Sequence, residues 1–144
     1  MPNYIRFRNF MNNEIENNSP LIFSGVLVAA TLSPLLGFYT LMITHHVSRL
    51  SKYWDKFIWS YGQWIPGSVG SGALGSTGSY AGKEALALMV WLGSWAVFHY
   101  LWRKQDMPLQ RWLPIFLGGL LVVTLGFIHP VIDPVILLLR DLLG

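Results

Sequence analysis

A run from Leu21 to Ile43 contains no Asp, Glu, Lys or Arg. As a helix it would be roughly 35 Å long, slightly more than the ~30 Å hydrocarbon core of a bilayer. Two more such runs follow, Ala85–Trp102 and Leu113–Leu139, interrupted only by Asp133. A soluble domain of 144 residues does not carry three stretches of this kind. The expected fold class is therefore all-α: a polytopic membrane protein with three transmembrane helices, at roughly Leu21–Ile43, Ala85–Trp102 and Leu113–Ile128. The length fits a single membrane domain.

The composition agrees with lipid as solvent. Charged residues make up 12 % of the chain, about half the usual soluble share, while 53 % are hydrophobic and 15 % aromatic. The absence of cysteine excludes disulfides, thiolate nucleophiles, iron–sulfur clusters and thiolate-held zinc. A formal net charge of +3 is too small and scattered to argue for nucleic acid. The first run is too long for a signal-peptide core and ends in Thr44-His45-His46, so it is expected to remain as a helix.

The lead, Met1–Pro20, carries Tyr4, Phe7 and Met11 at helical spacing. It fits a short interfacial helix and, equally, a tail ordered by partners. Ser19-Pro20 has the form of a helix start. Within the first run Gly25, Ala29, Ser33 and Gly37 fall four apart, a stripe of small residues that lets another helix approach closely. Pro34, inside the stripe, is expected to bend the helix.

An amphipathic pattern then spans Val47–Ile65, with Trp54, Phe57 and Ile58 among its apolar residues and Lys52, Asp55 and Lys56 opposite. This predicts a helix lying in the headgroup plane. A Gly/Ser-rich loop covers residues 66–84. Its Gly82-Lys83 is not a phosphate loop: Thr77 and Glu84 stand where that pattern needs Gly and Ser or Thr. No nucleotide partner is expected.

The second run carries Trp91 and Trp95, with Tyr100 and Trp102 as interfacial anchors. The short polar turn Arg103–Arg111 is expected to make the second and third runs antiparallel neighbours. Pro130 and Pro134 flank Asp133, so the third span should end near Ile128–Pro130 and a separate short helix should follow at 135–143. A single kinked span to Leu139 is the alternative. Arg6, Arg8, Arg103, Lys104 and Arg111 on one side, against Arg49, Lys52, Lys56 and Lys83 on the other, weakly favour a cytoplasmic N-terminus.

Chemistry rests on few residues. His99, His45, His46 and His129 are the only imidazoles, hence the only candidate axial ligands for haem b or chlorophyll. Haem b needs two facing imidazoles, which His45 or His46 with His129 can supply; chlorophyll needs one. His99 is the best single candidate, lying in an apolar span beside Trp95 and Trp102. His45, His46, His129 and Asp133 are also of metal-ligating type, although adjacent histidines on a helix point about 100° apart. No nucleophile sits in an elbow motif and no His-Glu-x-x-His helix occurs, so no enzymatic activity is expected.

By subtraction, the chain is expected to be a non-catalytic accessory subunit of a larger membrane complex of photosynthetic or respiratory electron transfer. Its partners would be larger membrane subunits and lipids, in a plasma, thylakoid or other energy-transducing membrane. The rival readings are a pigment- or haem-binding protein using these histidines, and a small ion- or proton-conducting protein in which Asp133 takes part.

Overall fold

In a computed structural model of the protein, residues 23–68 and 78–143 are described. The lead Met1–Pro20, its Ser19-Pro20 start and most of the Gly/Ser-rich loop lie outside them. The described residues are all-helical: α1 Ser24–Leu50, α2 Lys52–Ser60, α3 Tyr80–Trp102, α4 Leu109–Phe127 and α5 His129–Leu143. α1, α3 and α4 are long and apolar enough to cross a membrane, the arrangement of a multi-pass membrane protein.

α1 is the central element. Gly25 lies at the end of α3, against the carbonyls of Trp102 and Gln105, and Gly37 lies against Ala87 and Trp91, so α1 and α3 are antiparallel. On its other side Leu35 and Met42 meet Gly119 and Gly126, so α1 and α4 run parallel. The small-residue stripe therefore finds its partner inside the chain. Ala29 and Ser33 are fully enclosed, and the Ser33 hydroxyl donates back to the Ala29 carbonyl at 2.6 Å. Pro34 is accommodated within one continuous helix.

The connection after α3 closes the start of α1. The Gly25 N–H donates to the Gln105 carbonyl at 3.0 Å. The Ser24 hydroxyl donates to the Met107 carbonyl at 2.9 Å and accepts from the Met107 N–H at 2.6 Å. These bonds replace a side-chain cap, which α1 lacks. Trp102 stacks on Phe98 and leans on Trp112, so this end carries the aromatic anchors expected of Trp102.

Several boundaries differ from those read in the sequence. α1 continues past Ile43 to Leu50 because its polar turn is satisfied: Thr44 donates to Thr40 at 2.8 Å, and His46 bonds Gly126 on α4. Val47 and Leu50 thus belong to α1. The interfacial helix shortens from Val47–Ile65 to Lys52–Ser60, since Ser51 adopts an extended backbone (φ −157°, ψ 159°) and caps the Trp54 N–H. Ile58, expected at the interface, is buried against Gly82 of α3. Trp54, Phe57 and Tyr61 remain exposed, in successive edge-to-face contact.

α3 and α4 each begin earlier than the runs Ala85–Trp102 and Leu113–Ile128, at Tyr80 and Leu109. The polar residues added, Lys83, Glu84 and Arg111, tolerate a helical first turn at the bundle's ends. The third span ends at Phe127, as expected. α5, however, starts at His129 rather than 135, because Pro130 occupies a first turn where no amide hydrogen is required. Ile128 (φ −81°, ψ 100°) separates the two helices, so there is no kinked span to Leu139.

Candidate functional site

Because α1 and α4 are parallel, the end of α1 and the break after α4 meet at one end of the bundle. The first turn of α3 arrives there from the opposite direction. Three of the four histidines gather at this junction. The His45 and His129 rings stand edge-on, 5.4 Å apart at 86°, with their Nε2 atoms 3.3 Å from each other. One ring donates and the other accepts. The His46 Nε2 sits 2.7 Å from the Gly126 carbonyl, to which it donates, and its Nδ1 is buried with no partner among the described residues.

Charged groups frame the imidazoles. One turn beyond His45, the Arg49 guanidinium donates to Asp133 of α5 at 2.7 Å. That hydrogen bond, reinforced by the Arg49 charge and by His129 and His46, holds the Asp133 carboxyl below the ordinary carboxylate range. From α3, Lys83 places its ammonium 4.6 Å above the Tyr80 ring, and that ring lies 6.5 Å from His45. Arg49, Tyr80 and Lys83 were not among the site residues proposed from sequence. Arg49 and Asp133 are 84 positions apart, which no local pattern encodes. A lone Lys just ahead of an apolar run was the only available signal for Lys83.

His99 stands apart, on α3 near the opposite end of the bundle. Its ring stacks on Trp95, 5.4 Å away at 30°, and its Nδ1 is buried with no partner among the described residues.

This geometry bears on each candidate chemistry. A bis-imidazole haem needs an open slot between its two ligands. Here His45 and His129 bond each other directly, so their present arrangement leaves none. Among the described residues no three His, Asp or Glu side chains converge to hold a metal ion. Asp133 is engaged by Arg49 at the surface rather than placed within a span, so the carboxylate argument for a proton path does not apply at its observed position. Of the four imidazoles, only that of His99 makes no hydrogen bond among the described residues, and it lies on an apolar helix. Comparison with known protein families, curated proteins and solved structures finds no match for this chain.

Proposed function

We propose that the protein is a non-catalytic, multi-pass membrane subunit that assembles with a larger membrane protein through the Trp91–Trp95–His99 face of α3. One observation carries this reading. Trp91 is equidistant from the two ends of α3, about 16 Å from each, and is 43 % exposed. An indole can reach the headgroup layer from a helix end, not from its middle. Its N–H makes no hydrogen bond among the described residues, and lipid tails offer no acceptor. Trp95, also 43 % exposed, and His99 continue the same face one and two turns on. A neighbouring helix bearing carbonyl or hydroxyl acceptors would satisfy all three.

The small-residue stripe no longer supports this reading, because α3 already occupies it. Docking rests instead on the exposed flank of α3 beside that contact, where the Trp91 ring emerges after its Cβ has passed Gly37 of α1. An electron-transfer or light-harvesting assembly is the parent we infer, since His99 beside Trp95 offers one axial imidazole for a tetrapyrrole, supplied by this chain or shared with the partner. That second reading is favoured by the unpartnered Nδ1 on an aromatic-stacked ring.

The test is recovery of partners from mild detergent with wild-type protein and with Trp91→Leu/Trp95→Leu. The variant is expected to insert and fold, yet lose its partner. Wild type running alone would overturn the subunit reading. The visible spectrum of the purified protein tests the second: a Soret band lost in His99→Ala supports ligation, and a colourless preparation without extractable tetrapyrrole excludes it.

A further inference from the structure

Lys83 is 4 % exposed, yet among the described residues no carboxylate lies within ion-pair distance of it. Asp55 acts on it from farther away, opposed by Arg49. The Tyr80 ring offsets only part of an ammonium's desolvation. A buried cation without an anion is costly and points to a counter-charge supplied from outside the chain. The helix dipole acts in the same sense, since Lys83 sits in the first turn of α3.

An apolar groove of about 300 Å³ runs between α1 and α3, lined by Gly37, Phe38, Leu41, Ala87, Leu88 and Trp91. Both of its walls end in a base. Lys83 stands one turn above Ala87 on α3, and His45 one turn above Leu41 on α1. Glu84, also at the groove, is exposed and makes no ion pair with Lys83. The whole arrangement has an anion-seeking head at the level where α1 leaves the membrane and an oily channel leading inward from it.

We propose that this is a binding site for one anionic phospholipid, its phosphate between Lys83 and His45 and an acyl chain in the α1–α3 groove. The full-length protein, reconstituted in nanodiscs of phosphatidylcholine alone or with phosphatidylglycerol and then extracted into detergent, is examined by native mass spectrometry. Wild type is expected to retain one phosphatidylglycerol in preference to phosphatidylcholine. Lys83→Met is expected to lower that retention about fivefold, with Lys83→Arg restoring it. Equal retention of the two lipids by wild type overturns the proposal, whether or not Lys83→Met folds. So does undiminished phosphatidylglycerol on a folded Lys83→Met. Thermal stabilisation by inorganic phosphate equal to that by phosphatidylglycerol overturns the lipid assignment and points to a soluble phosphate compound.

Discussion

α1 meets its two neighbours in opposite ways. Toward α3 it supplies the small residues itself, so that Gly25 and Gly37 lie against backbone atoms of Trp102, Gln105 and Ala87. Toward α4 it supplies large side chains, and the glycines are on the partner: Leu35 against Gly119, Met42 against Gly126. Among the described residues, side-chain hydrogen bonds between the helices themselves accompany only the second interface, where the Tyr39 hydroxyl donates to the Gly119 carbonyl at 3.0 Å and His46 bonds Gly126. In lipid, apolar burial does not press helices together, so each contact needs a small residue on one side. Which helix supplies it decides what limits the contact. The α1–α3 contact is limited by backbone, which cannot yield. The α1–α4 contact is limited by side-chain tips, which can.

The largest effect should therefore come from crowding α3. A Cβ added at Gly25 would run into the Trp102 and Gln105 carbonyls, and Ala29 and Ser33 have no free surface. Ala29→Leu/Ser33→Leu is expected to cost at least about 3 kcal/mol, read by reversible unfolding in mixed micelles. Gly25→Ala should also be strongly destabilising. An unchanged unfolding curve for either would mean that the stripe does not bear on α3 at all.

The next effect is smaller and belongs to α4. Tyr39→Phe removes one partly buried hydrogen bond while keeping the ring, and should cost about 1 kcal/mol. A loss as large as that of the stripe variants would erase the distinction between the two interfaces.

The same contrast governs what could be read in the sequence. Four small residues in strict register on one helix are a local pattern, so Gly25, Ala29, Ser33 and Gly37 were legible as a packing face. Their partner was not, because nothing in the run says whether α3 or another protein fills it. The α4 interface hid for the complementary reason. Gly119 and Gly126 mean little until matched with Leu35, Tyr39, Met42 and His46 from another helix. Spans followed from hydropathy, but their ends did not. α1 outlasts its apolar run because His46 and Thr44 find acceptors, and α5 starts at His129 because Pro130 tolerates a first turn. The histidines were legible as residue types only. Bringing His45 to His129 required knowing that α1 and α4 run parallel.

Gly119→Ala sharpens the comparison from the other side. Its added methyl would meet the Leu35 Cδ2 at 2.8 Å, the far end of a flexible side chain. Alanine meanwhile gains up to about 1 kcal/mol of helix propensity over glycine. The two effects nearly cancel, and stability should stay within about 1 kcal/mol of wild type. A loss matching Gly25→Ala would show that the α4 interface is as rigid as the α3 one.

The smallest effect concerns the junction where α5 leaves the bundle, held by His45–His129 and by Arg49–Asp133. The Arg49 hydrogen bond holds the Asp133 carboxyl below its ordinary value, with the Arg49, His129 and His46 charges acting in the same direction. A carboxyl depressed in the folded state contributes stability that is fully present above its unfolded value, about 3.9, and is lost as pH falls through the lower folded value. Both partners are more than a third exposed, so screening keeps the contribution small. Spin labels on α1 and α5 should report an unchanged distance from neutral pH down to about pH 4, then a modest separation below it. In Asp133→Asn that acid step should be absent. An acid-induced separation that survives in Asp133→Asn would show that the Arg49–Asp133 pair is not what holds α5 to α1.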